Sequence, residues 1–246
     1  MLNQELNREF NFFGGEVVAI DKPSHITSFQ AVNKIKWAAR QYLNHHTEQT
    51  QNNQARLRVG HAGTLDPLAT GVLLICTGKK TKEISSFQQL EKEYTGTFLI
   101  GATTPCFDLE REIDATYPTH HIQETDILTA AKKFTGVLIQ QPPAFSAVKI
   151  QGKRAYELAR KGIEVEIPGK EIEIKTFEIT NISMPSVSFR IVCSKGTYIR
   201  SIARDFGKAL DSGAHLTRLC RTRIGDFTLE NSLNLHELME NLVKRP

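Results

Sequence analysis

Two β-rich runs, EIEIKTFEITNI at 171–182 and VSFRIVC at 187–193, are separated by little more than Met184, Pro185 and Ser186. So short a connection can only turn the chain back on itself, and the pair reads as an antiparallel hairpin. Further strands are expected in EVVAIDKP (from Glu16, ended by Pro23), VLLIC after Gly71, 94–100, and GVLIQ, which Pro142-Pro143 stops. The run 215–227 reads as another strand or hairpin. Helices intervene at irregular intervals. Phe29, Val32, Ile35 and 37–39 recur at helical spacing behind Thr27-Ser28, which can cap them, and 79–90, 122–134, 155–161, 198–210 and 235–243 also fit helices. Loops are expected over the polar 44–56, the turn-rich RVGHAGTLDPLATG and the stretch 103–119. This order favours, over a regular βαβ winding, an α+β fold with a central mixed, largely antiparallel sheet flanked by helices and loops.

At 246 residues, with 40% hydrophobic and 24% charged side chains, the chain can bury a core as one large domain or two small ones. No apolar run nears the roughly 18 residues of a membrane span, and the polar start MLNQELNREF lacks a signal-peptide core, so a cytoplasmic protein is expected. Cys76, Cys106, Cys193 and Cys220 are scattered and form no CxxC pair; they are expected reduced and packed, and no metal is expected. The pairs His45-His46 and His120-His121 also lack metal-ligand spacing and read as solvated loop residues. The net charge of +4 only permits nucleic-acid binding. Its distribution says more: Lys149, Lys153, Arg154, Arg160 and Lys161 crowd one stretch, Arg218, Arg221 and Arg223 a second, and Lys79, Lys80 and Lys82 a third. Three basic clusters among apolar strands raise the prospect of a groove for a polyanion.

Nucleotide-binding signatures fail. A P-loop ending at Gly78-Lys79 would need Gly at 73 and Ser or Thr at 80, where Leu73 and Lys80 stand, and no GxGxxG follows a strand. GxSxG, HExxH and zinc-deaminase patterns are likewise absent, so chemistry here would rest on side chains and no cofactor is expected. The unusual stretch is RVGHAGTLDPLATGVLLI. Its glycines permit tight turns, and Pro67 restricts Asp66 to extended backbone. Alone, Asp66-Pro67 is an ordinary turn pair.

The block Gly60-His61-Ala62-Gly63-Thr64-Leu65-Asp66-Pro67-Leu68-Ala69-Thr70-Gly71-Val72-Leu73 closely resembles the signature of the tRNA pseudouridine synthase B family, G-H-x-G-T-L-D-P-x-A-x-G-x-L. Asp21-Lys22-Pro23 with Thr27-Ser28 resembles its D-K-P-x-G-x-T-S motif, with His25 in place of the usual glycine. Lys92-Glu93-Tyr94 resembles K-x-Y. Gln141-Pro142-Pro143 through Ser146-Ala147-Val148-Lys149, with Gly152 and Tyr156, resembles the end of the thumb loop. Lys195 to Arg200 matches K-G-T-Y-I-R, and His215-Leu216, Leu219 and Arg221 match the last catalytic-domain motif. The resemblance spans about 16–227 in family order. It implies a pseudouridine synthase catalytic domain over 16–227, with a thumb-like insertion at about 120–152. An N-terminal tail (1–15) precedes it, and a short helical tail (228–246) follows in place of a separate C-terminal RNA-binding domain.

The implied activity is conversion of the uridine at position 55 of tRNA, in the T-loop, to pseudouridine. The implied roles are Asp66 as catalytic aspartate, Arg200 as the cation that orients and ionises it, and Tyr94 against the flipped uracil, with Tyr198 and Leu219 lining the pocket. His61 is expected to touch the RNA or to stabilise its own loop, and Lys149, Lys153 and Arg154 to meet phosphates of the T-stem. A monomer acting on tRNA, without membrane attachment, is expected. A related synthase acting on rRNA or with guide RNA is the alternative enzyme, and a catalytically silent tRNA-binding chaperone the alternative from another class. Thr103 to Asp108 is looser than the family's T-x-T-x-D, and no role is transferred to it.

Overall fold

The computed structural model describes residues 8–46, 57–146, 148–150, 152–163 and 167–244. The chain divides into two units, one made of residues 1–92 and 220–246 and the other of 93–219. A mixed sheet flanked by helices gives the α+β class expected.

The first unit is organised around β3, the hydrophobic strand Thr70–Thr77, in which every residue after Thr70 is buried. A strand covered on both faces needs apolar residues at successive positions rather than alternate ones, and GVLLIC supplies them. β1 (Val17–Lys22) and β2 (Val59–Ala62) both pair with β3 antiparallel, Lys22 opposite Gly71 and His61 opposite Ile75. β2 lies in a stretch expected to be turn-rich loop; pairing with β3 overrides the poor strand propensity of Gly60-His61. Arg221, on β12 (Ala214–Ile224), pairs parallel with Gly71.

One face of β3 presents Val72 and Leu74, packed with Ala62 and Ile224 against Ile84, Phe87, Leu90 and Phe227. Ile84 and Phe87 belong to α2 (Ile84–Gln89), which continues a 3-10 turn at Gly78–Glu83. α1 (Ser28–His46) buries Ala31, Val32, Ile35, Ala38, Ala39 and Tyr42, the period of one helical face, and packs along α6 (Leu235–Lys244). Of the polar stretch expected as a loop, 44–46 extend α1, and 47–56 lie outside the described residues.

Near both ends the described residues take part in the fold. Phe10 and Phe12 stack at 5.2 Å and meet Tyr42 edge-on, so residues 8–15 are held to α1. The C-terminal segment contributes a short strand, β13 (Leu233–Asn234), parallel to β1, before α6 begins.

In the second unit β10 (Lys170–Ser183) and β11 (Ser186–Cys193) form the expected hairpin, with Met184-Pro185 at its tip, and β7 (Gly136–Gln140) pairs antiparallel with the far side of β10. β4 (Lys92–Ile100) alternates buried and half-buried residues from end to end. Phe98 stacks on Phe189 at 4.2 Å, and Phe177 and Phe134 close on Phe206 of α5 (Ile199–Ala209), giving an aromatic core. α3 (Glu124–Lys133) opens on a capping box between Gln123 and Asp126. Within the stretch expected as loop, β5 (Ala102–Thr103) pairs with β6 (Ala115–Thr116). Between β7 and β10 the described residues form a two-residue ribbon, β8 (Lys149–Ile150) with β9 (Lys153–Arg154), and the single turn α4 (Ala155–Ala159).

Candidate active site

Asp66 stands at the middle of the seven residues, 63–69, that join β2 to β3. The loop has no regular structure of its own, so side chains from elsewhere satisfy its backbone groups. Thr27 caps α1: its hydroxyl accepts from the Gln30 N–H at 3.0 Å while the Gln30 side chain accepts from the Thr27 N–H at 2.7 Å. That frees buried Ser28, whose hydroxyl accepts from the Leu65 N–H at 2.8 Å and donates to the Leu65 carbonyl at 3.0 Å. Both backbone groups of the residue before Asp66 are thus fixed by one side chain. After it, the Ala69 N–H donates to the Asp66 carbonyl at 3.2 Å, closing a turn with Pro67 at its second position.

Lys22 and Arg221 hold the remaining carbonyls. The fully buried Lys22 ammonium donates to Pro23, Ile26 and, at 3.2 Å, Pro67. Burial pulls its pKa down to about 8, with the Asp66 carboxylate opposing that fall and the Arg221 guanidinium adding to it. Arg221, 1% exposed, donates to Val72 at 2.8 Å, Gly63 at 2.9 Å and Thr64 at 3.4 Å. Gly71 allows this close approach: its φ is +102°, and a Cβ there would overlap the Arg221 carbonyl. Ser24 donates to Leu68 at 3.0 Å. The result is a half-buried carboxylate on an irregular loop whose backbone is immobilised on both sides and which sits in the field of the buried Lys22 ammonium.

His61 lies three residues upstream of this loop's Thr64, on β2. Its ring is half-buried, and its Nδ1 has no hydrogen-bond partner. Burial, then the nearby Arg221 guanidinium, lowers its pKa from the usual 6.5, so the ring is neutral at pH 7.

In the second unit Arg200 enters on the first turn of α5, buried, and donates to the carbonyls of Cys106 at 3.2 Å and Phe145 at 3.0 Å; its Nε faces the Asp108 carboxylate at 3.6 Å. Tyr198 precedes α5 as its N-cap. The buried Gln140 amide reads both backbone groups of Tyr198, accepting from its N–H at 2.8 Å and donating to its carbonyl at 3.1 Å. Tyr94 is buried on β4, and Leu219 half-buried on β12. Lys153 is exposed on the β8–β9 ribbon, while the side chains of Lys149 and Arg154 lie outside the described residues.

The amino-acid sequence from residue 49 to 199 matches the family model described as TruB family pseudouridylate synthase (N terminal domain), and 200–245 matches tRNA pseudouridylate synthase B C-terminal domain. The chain belongs to the TruB family. It is 53% identical to tRNA pseudouridine synthase B of Flavobacterium johnsoniae, over 94% of this chain and 97% of that one. It is also 53% identical to tRNA pseudouridine synthase B of Phocaeicola vulgatus, over 94% of each. Among solved structures it resembles a chain of a Cbf5-Nop10-Gar1 complex, with a TM-score of 0.67 and 28% identity; the match covers 98% of this chain, which spans about half (56%) of that one.

For this TruB chain, sequence motifs point to Asp66, but they do not show what holds it. Lys22, Ser28 and Arg221 were visible only as parts of motifs, and nothing in their spacing says that they converge on the 63–69 backbone. The cluster Arg218, Arg221 and Arg223 is also not the basic surface expected. Arg221 is spent on buried carbonyls, Arg223 pairs with Glu91 at 2.6 Å, and only Arg218 is exposed. Asp108, to which no role was given, is the buried carboxylate beside Arg200.

Proposed function

We propose that this chain converts the uridine at position 55, in the T-loop of tRNA, to pseudouridine, with Asp66 as the catalytic carboxylate. Isomerisation of a tRNA uridine to pseudouridine is supported by the family match and by the names of relatives that are half identical over nearly the whole chain. The observation that carries the role of Asp66 is its loop, in which Ser28, Lys22 and Arg221 fix the residues on either side of it. A preorganised carboxylate suits this reaction, because cleaving the N-glycosidic bond, turning the base and rejoining it through carbon is redox-neutral. Asp66 can serve by attack on the anomeric carbon, by addition to the uracil ring or by removal of a ribose proton, and each route returns it unchanged.

The base must leave its stack to be reached. Tyr94 is assigned to the extruded uracil, Tyr198 and Leu219 to the pocket around it, His61 to the flipped nucleotide and Arg200 to the ionisation of the carboxylate, each on the motif that carries it. Lys149, Lys153 and Arg154 are assigned to phosphates of the T-stem, the enzyme acting in the cytoplasm as a monomer. Incubation of wild type and Asp66→Asn with unmodified tRNA, followed by pseudouridine mapping, tests the assignment. Product at the T-loop uridine for wild type, and none for the variant with binding retained, is expected. Product at another position would replace the target. Binding by wild type without product would leave a tRNA chaperone.

A further inference from the structure

We infer that the outer face of α1 is a second contact surface for the substrate tRNA, an inference that rests on the reading of the chain as a tRNA-modifying enzyme. α1 carries Lys34, Lys36 and Arg40 and not one acidic residue along its 19 positions. Its buried face is complete without Phe29 and Trp37, which are 68% and 51% exposed. Phe29, Asn33, Trp37, Arg40 and Asn44 recur in steps of four, four, three and four, which places them on one exposed stripe opposite Ala31, Ile35, Ala38 and Tyr42. Aromatic faces, amides and a guanidinium are the groups that stack on unpaired bases and bind phosphates. The absence of any carboxylate on the helix makes a polyanion the complementary partner.

The stripe starts one residue after an anchor of the Asp66 loop. Ser28, the first residue of α1, holds Leu65 beside Asp66. A cavity of about 560 Å³ opens beside Lys36 of the helix, lined also by Arg58, Gly60, Thr81 and Ile84 among others, and among the described residues its charged lining is cationic. Gly60 adjoins His61. An RNA strand leaving the Asp66 loop therefore meets Lys36 and Arg58 and then the stripe, which runs for about 22 Å at the rise of an α-helix.

Trp37 is the only tryptophan of the chain, so its emission reports this face alone. The full-length Asp66→Asn protein is titrated with unmodified tRNA, following Trp37 emission and acrylamide accessibility while filter retention measures binding. Quenching and protection in step with retention are expected. Trp37→Ala should weaken tRNA binding by about fivefold or more, and Arg40→Gln should lower the slope of log affinity against log salt by about one. Retention with emission and accessibility unchanged overturns the inference, as does an emission change that follows protein concentration without RNA, which would mark a contact between copies. Protection of Trp37 by tRNA in a protein whose wild type makes no pseudouridine would uphold the surface and sink the proposed reaction. No retention at all defeats both.

Discussion

The loop around Asp66 and the basic stretch 149–161 are both short of regular structure, yet they are built in opposite ways. Around Asp66 the carbonyls of Gly63, Thr64, Leu65, Pro67 and Leu68 all receive side-chain donors from β1, the β1–α1 connection, α1 and β12. The basic stretch has a two-residue ribbon and a five-residue helix that buries only Ala155, and it leaves Lys153, Arg160 and Lys161 exposed. Bond cleavage needs a carboxylate held to within a fraction of an ångström. Phosphate binding by long flexible cations does not, because its energy comes mostly from charge. The irregular segment that received buried anchors is the one proposed to do chemistry.

Removing those anchors should damage catalysis far more than affinity. Arg221→Gln strips donors from up to three carbonyls in the protein interior and should cost about 3 kcal/mol of stability, with a large fall in kcat. Urea unfolding and single-turnover kinetics check it; full activity would mean that the loop keeps its shape without the guanidinium. Ser28→Ala leaves both backbone groups of Leu65 unpaired and should cost about 2 kcal/mol. The expected signature is a lower kcat with KM for tRNA little changed, and α1 should persist because Thr27, not Ser28, caps it. A variant that raised KM alone would assign Ser28 to binding instead.

Much of the fold was legible because a few patterns admit one solution. VLLIC read as an apolar strand, and the 171–193 hairpin needed no more than its turn. β2 was not legible, since Gly60 and His61 form a strand only by borrowing the register of β3. Asp66 stood out through the block around it. Lys22, Ser28 and Arg221 did not, because a buried cation bonded to backbone carbonyls has no sequence period, and by type Arg221 looks like its exposed neighbour Arg218. Asp108 was invisible for a related reason: its significance lies in the burial it shares with Arg200, 92 positions away.

Lys22 gives the comparison a pH axis. Its folded pKa of about 8 lies below the ordinary 10.5 expected of the unfolded chain. Between those values the unfolded chain holds the proton more tightly, so stability gains from Lys22 as pH rises through that window, and below it the buried charge costs stability. Relative to Lys22→Met, wild type should therefore become more stable from pH 8 upward. Urea midpoints of the two proteins across that range, with the Lys22 resonance titrated by NMR, test it; a midpoint difference independent of pH would show that the amine is not desolvated.

The smallest effect is expected at those lysines. Lys153→Gln with Lys161→Gln removes two exposed charges, neither of which supports a buried group, so unfolding should move by no more than about 0.5 kcal/mol. If the segment meets tRNA phosphates, the salt dependence of binding should flatten by about one per lysine, KM should rise, and kcat at saturating tRNA should fall much less than in Ser28→Ala. The two double readouts then separate the regions: kcat moves with the anchored loop, and salt slope with the exposed cations. An unchanged salt slope in the lysine double variant would remove 149–161 from the phosphate path and leave the described cations of the first unit, Lys36 and Arg58 among them, to carry the electrostatic attraction.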